Sequence, residues 1–72
     1  MMPEQCRAAR ALLDWSQSQL ALAAGVGVST VKLFEKGGRQ PMRQNLEAMR
    51  RALEEAGVDF LGDRGVQLRT LN

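Results

Sequence analysis

The chain has 72 residues, a net charge of +2, a single cysteine and no histidine or tyrosine. That length holds one domain at most, with a core only marginally able to support itself. Cys6 alone excludes an intrachain disulfide framework, and the lack of histidine argues against a Cys/His zinc site and against most nucleophile–base pairs.

The N-terminus, MMPEQCRAAR, lacks the apolar core of a signal peptide, and the longest mostly apolar run, LALAAGVGV, is far short of a membrane span. With a free thiol, these features give the expectation of a cytoplasmic protein with no membrane partner. The charges are unevenly placed. Residues 1–26 are neutral, residues 27–51 carry a net +4 and residues 52–72 a net −2. The middle zone, with Lys32, Lys36, Arg39, Arg43, Arg50 and Arg51, suits a polyanionic partner, although a solvated helix face has the same composition.

Pro3 fits the first turn of a helix, where its missing N–H costs nothing. EQCRAARALLD then reads as a helix with Cys6, Ala9, Leu12 and Leu13 at helical spacing, ended by Asp14, Trp15 and Ser16. Ser16-Gln17-Ser18-Gln19 is a capping-box pattern ahead of a second helix. Leu20, Ala21 and Ala24 share one face of that helix, and Gly25 stops it.

After the turn Gly25-Val26-Gly27 a third helix is expected from Val28 to Lys36, before Gly37-Gly38. Two helices of about eight residues joined by a three-residue, glycine-containing turn form a helix-turn-helix pattern. Ala21 is small enough for a close crossing, and Val26 and Val31 can fill the corner. At about 100° per residue, Val31, Phe34 and Glu35 fall on one side of the third helix and Ser29, Lys32, Leu33 and Lys36 on the other, with Val28 at the flank. The first side is fit for a core. The second carries a hydroxyl, two ammonium groups and a leucine, on a helix that fits the major groove of B-form DNA. There lysine can donate to guanine or phosphate, and Leu33 or Val28 can touch a thymine methyl. The plainer alternative has the lysines solvated and Leu33 packed on a neighbour.

The longest helix is expected from Arg43 to Ala56, closed by Gly57, with Leu46, Met49, Leu53 and Ala56 as its apolar stripe. Glu47 with Arg51 and Arg50 with Glu54 are spaced as i,i+4 ion pairs. Beyond it Val58 and Phe60, then Val66 and Leu68, alternate with polar residues around the turn Gly62-Asp63-Arg64-Gly65. This is a small hairpin, which must lie against the helices or pair with a second chain.

Residues 5–56 resemble the Cro/phage-repressor type of helix-turn-helix, the xenobiotic-response-element family of bacterial transcriptional regulators. The residues that carry the resemblance are Ser16-Gln17-x-x-Leu20-Ala21-x-x-Ala24-Gly25-Val26, then Ser29-Thr30-Val31-x-x-Phe34-Glu35-x-Gly37-x-Arg39-x-Pro41, then Leu46. The tail resembles a subgroup of short regulators that end in a β-rich extension. The resemblance implies a mainly α, four-helix, lambda-repressor-like domain over residues 1–57 followed by a β extension over 58–72, and the hairpin in that extension is the candidate dimerisation element. It places Val28, Ser29, Lys32 and Leu33 at base-reading positions, and Gln17, Lys36, Arg39, Arg43 and Asn45 at or near backbone-phosphate positions. Arg10 and Glu35 match a structural salt bridge between the first helix and the reading helix, consistent with the inward placement of Glu35.

Two positions depart from the family pattern. Gly27 stands where serine or threonine often caps the reading helix, and Met42 where a small polar cap is common ahead of the long helix. The reading face is also short of bidentate donors, which points to a modest, methyl-weighted specificity. The expected protein is a non-enzymatic regulator that binds double-stranded DNA as a homodimer, reading half-sites about one turn apart and needing no cofactor. The competing expectation is an antitoxin or other interaction module whose tail, residues 58–72, binds a partner protein. An enzyme is more remote, since Gly25-Val26-Gly27 lacks the preceding strand of a nucleotide site.

Overall fold

The computed structural model describes residues 1–69. Four helices are followed by a hairpin: α1 (Pro3–Leu13), α2 (Gln17–Ala24), α3 (Val28–Glu35), α4 (Arg43–Glu55), β1 (Val58–Leu61) and β2 (Gly65–Leu68). The protein is thus mainly α with a C-terminal antiparallel pair, as the sequence predicts. Among the described residues no helix is long and apolar enough to cross a membrane.

The local signals act as their chemistry requires. Asp14 closes α1 in the left-handed conformation. The Ser16 hydroxyl accepts from the Gln19 N–H at 3.0 Å while the Gln19 side chain accepts from the Ser16 N–H at 2.7 Å. This reciprocal cap satisfies two of the amides that a helix start leaves unpaired. Gly25 ends α2 at φ +71°, a conformation open to glycine at no steric cost. Neither Gly27 nor Met42 supplies a side-chain cap to the helix that follows it.

One core joins all the elements. Cys6 and Ala9 of α1, Leu20 and Ala21 of α2, Val31 and Phe34 of α3, Met49, Ala52 and Leu53 of α4, and Val58 of β1 are buried together. α2 packs on both α3 and α4, while α1 spans from α3 to the hairpin. Two expectations for the helices change. Leu12 is 41% exposed, because the inner face of α1 runs through Gln5, Cys6 and Ala9 instead. Glu47 pairs with Arg43 at 3.2 Å rather than with Arg51. Side chains on a helix lean toward its N-terminus, and that lean carries Glu47 toward the preceding turn. The Arg50–Glu54 pair forms as expected, at 3.1 Å.

The hairpin pairs Val58 with Leu68, Asp59 with Gln67, Phe60 with Val66 and Leu61 with Gly65. Val58 is fully buried, Phe60 and Val66 pack against the core, and Leu68 at the far end of that face stays about half exposed. Three further ties hold the hairpin to the body. The Arg50 guanidinium lies 4.8 Å from the Phe60 ring centroid. The Arg69 side chain pairs with Asp59 and donates to the Glu54 carbonyl. The Gln5 amide, only 1% exposed, donates to the carbonyls of Gly62 and Gly65, each at 3.1 Å, and accepts from the Met2 N–H at 2.9 Å.

Candidate nucleic-acid interface

α3 is divided lengthwise. Val31, Phe34 and Glu35 are buried, and Ser29, Lys32, Leu33 and Lys36 are exposed on the opposite side. The division follows from the period of an α-helix and from the large apolar side chains at positions 31 and 34, which commit one side to the core. Val28 is half-buried at the start of the helix, and Thr30 is half-buried between the two sides.

The buried acid on this helix is held from three directions. Arg10 Nε and Nη2 donate to the two carboxylate oxygens of Glu35 at 2.6 and 2.7 Å. Gln17 Nε2 donates to Oε1 at 3.1 Å, and the Cys6 thiol donates to Oε2 at 3.1 Å. Arg10 also donates to the Trp15 carbonyl at 2.9 Å, so its guanidinium ties α1, the α1–α2 turn and α3 together. Arg7 donates to the backbone carbonyl of Glu35. The side chains of Glu35 and Arg10 are 3% and 18% exposed.

The electrostatics follow from these contacts. Burial pushes the Glu35 carboxyl up, but the hydrogen bonds from Arg10, Cys6 and Gln17, with the charge of Arg10, outweigh it and hold the group below its ordinary pKa. The bond to Glu35 raises Arg10 further, against the effect of its own desolvation. Burial, then the bond to Glu35 and its charge, push the Cys6 thiol well up, so it stays protonated and acts as a donor. Because the folded pKa of Glu35 is depressed, its stabilisation is present above the ordinary carboxylate pKa and is lost as pH falls through the lower, folded value. Acid titration by circular dichroism is expected to show a loss of stability in that window that Glu35→Gln lacks.

The remaining predicted site residues surround α3. Gln17 is half-buried at the start of α2, with its amide on Glu35, so that its side chain braces α3. Lys36 and Arg39 are exposed at the end of α3 and in the loop into α4, and Arg43 is exposed at the first position of α4, where it holds Glu47. Asn45 is half-buried on the first turn of α4 and, with Thr30, Leu33, Arg39, Gln40, Pro41 and Met42, lines a recess of about 320 Å³. A second hollow, of about 420 Å³, is lined by Arg7, Arg10, Gln17, Lys32, Glu35 and Lys36. Four cations there face one carboxylate, which Arg10 already neutralises. Sequence reasoning passed over Arg7, because it assigned no function to the first helix apart from Arg10. Its distance of three residues from Arg10 was the available signal, since that spacing puts both on one helix face.

The arrangement is a helix with one side left exposed and cations on both flanks, fit for a groove with phosphate walls. A family model described as helix-turn-helix matches residues 7–60 of the chain. No curated protein matches it.

Proposed function

The chain belongs to the helix-turn-helix family, in its Cro/repressor-type branch of DNA-binding regulators, and from that premise we propose a sequence-specific transcriptional regulator that inserts α3 into the major groove as a homodimer. The observation that carries this reading is the two-sided construction of α3, with its apolar side and Glu35 locked into the body and Ser29, Lys32 and Leu33 left free on the outer side. In this reading Val28, Ser29, Lys32 and Leu33 meet base edges. Gln17, Lys36, Arg39, Arg43 and Asn45 position the protein on phosphates, helped by the N-terminus of α2. The hollow beside α1 adds Arg7 to the positively charged wall.

One copy offers few base contacts, so affinity and specificity call for two copies on two half-sites. The hairpin is the element for that pairing. Its two strands form an open-edged antiparallel pair, and Leu61 and Leu68 are about half exposed on it. Edge strands with exposed apolar residues readily pair with a second chain. Sedimentation equilibrium at micromolar concentration tests this. A dimer that dissociates on Leu68→Lys or Leu61→Lys supports it, and a monomer at all concentrations opposes it.

Fluorescence anisotropy on specific and random duplexes tests the DNA reading. Lys32→Ala is expected to weaken binding and change base preference. Arg39→Ala and Arg43→Ala are expected to weaken binding about equally on all sequences and each to reduce the salt slope by about one. Equal, salt-insensitive binding by all of these variants would contradict the proposed interface.

A further inference from the structure

The two edges of the hairpin are not alike. The Arg69 N–H donates to the Gly57 carbonyl at 2.6 Å. With the register of the strands, that bond fixes the phase of the ladder. Asp59 with Gln67 and Leu61 with Gly65 are the hydrogen-bonded pairs, and Val58, Phe60, Val66 and Leu68 turn their N–H and C=O groups outward. Among the described residues, none of those four makes a backbone hydrogen bond outside the hairpin. The β1 edge is nonetheless closed. Val58 is fully buried, α4 packs against β1, and Asp59 places a charge at its middle. The β2 edge is open. Its sequence, GVQL, holds no charge and no proline, the usual protections of an edge strand. α1 packs against β2 yet leaves Gln67 and Leu68 exposed. The next cation along the chain, Arg69, is drawn across the hairpin onto Asp59 and the Glu54 carbonyl, on the β1 side.

We propose that a second copy of this chain pairs with the outer edge of β2, antiparallel and about a two-fold axis at Gln67, to give a continuous sheet in the order β1-β2-β2-β1. The inference rests on the homodimer reading above and names the edge and the register of that contact. Val66 of each copy then exchanges two hydrogen bonds with Leu68 of the other, which uses every outward N–H and C=O on this edge. Leu68, 46% exposed, gains Val66 of the second copy as its cross-strand neighbour on the core-facing side. The two Gln67 side chains meet on the opposite face, where amides can both donate and accept. The same pairing at the β1 edge sets Asp59 against Asp59, two like charges directly opposed, which is destabilising. A contact from β1 to β2 is heterologous and builds a ring or a filament rather than a closed pair. The two-fold axis stands perpendicular to the sheet, so both helical bodies lie on the same face of it, as two half-sites on one DNA duplex require.

Cysteine cross-linking reads this register. Residues directly opposed in a non-hydrogen-bonded pair have Cα atoms about 4.5 Å apart, within the range of a disulfide. Cys6 is fully buried with its thiol held protonated, so it does not compete. In the full chain at micromolar concentration, Gln67→Cys is expected to pass mostly into a covalent dimer under oxidised glutathione, while Asp59→Cys and Arg64→Cys stay mostly monomeric on denaturing gels. Leu68→Pro supplies the second readout. The Leu68 N–H points outward, so proline there leaves the ladder of the hairpin intact and removes half of the bonds between copies. That variant is expected to keep the circular dichroism spectrum of wild type and to weaken the dimer by about tenfold or more in sedimentation equilibrium. Cross-linking at Asp59 in preference to Gln67, or equally at all three positions, overturns the inference. A wild-type dimer with no Gln67→Cys cross-link, or one that a folded Leu68→Pro leaves unweakened, also overturns it and leaves the homodimer reading standing. A wild-type monomer at all concentrations overturns both.

Discussion

Replacing Arg10 by alanine is expected to destabilise the fold by about 3–5 kcal/mol, the range for removing one member of a buried ion pair. Against a total of roughly 4–11 kcal/mol for a chain of this length, that is a large share, and at the low end of the range it leaves much of the protein unfolded. The reason is that Glu35 is a 3%-exposed carboxylate with four donors among the described residues, and Arg10 supplies two of them and the only contacting charge found there. Without the guanidinium, the carboxylate keeps only the Gln17 amide and a weak thiol donor. It must then be buried charged at high cost or take up a proton. The Trp15 carbonyl also loses its partner. Urea denaturation at two pH values checks this. The deficit of Arg10→Ala is expected to be largest near pH 7 and to shrink in acid, where wild type loses the ion pair as well. The double variant Arg10→Met with Glu35→Leu is expected to recover most of the loss, because replacing both charges removes the unpaired group. A pH-independent effect under 1 kcal/mol would mean that the pair does not hold α3 in place.

Gln5→Ala is expected to cost about 2–3 kcal/mol, through three lost hydrogen bonds and a small cavity. For a domain of this size that lowers the thermal midpoint by roughly 8–24 °C. The effect should be uneven. Gln5 binds the carbonyls on both sides of the hairpin turn, at Gly62 and Gly65, so the hairpin loses its attachment to α1. Native-state hydrogen exchange is expected to show the amides of β1 and β2 losing protection before those of α2, α3 and α4. Uniform loss of protection would show instead that the hairpin and the helices open as one unit. Gln5→Glu provides a sharper contrast, since a carboxylate cannot donate to either carbonyl yet fills the same space.

Much of the fold was legible in local pattern. The Ser16–Gln19 cap, the Gly25 stop, the two sides of α3 and the alternation in the hairpin each depend on residues a few positions apart, and each appears where its chemistry places it. Gln5 was missed because a glutamine near a helix start reads as surface. Its four-residue spacing from Ala9 was the one sign that it shares the inner face. Leu12 misled for the opposite reason, being apolar at a helical spacing but turned away from the face that α3 and the hairpin cover.

The candidate interface divides along the same line. Periodicity alone assigned Glu35 to the inside and Lys32 and Leu33 to the outside. The choice of Arg10 as its partner came from the family resemblance. No sequence argument brought Cys6 and Gln17 to the same carboxylate, Arg7 to its backbone carbonyl, or Met42 beside Leu33. The sequence by itself determined where the helices start and stop and which side of each is apolar, because those properties arise from backbone geometry repeated every few residues. Only the tertiary structure decided which polar groups meet, because Gln5 and Gly65 are 60 positions apart and Arg10 and Glu35 are 25 apart. Contacts at that range depend on how the helices cross, and the crossings are set by the packing of Ala21, Val31, Phe34 and Leu53 in one shared core.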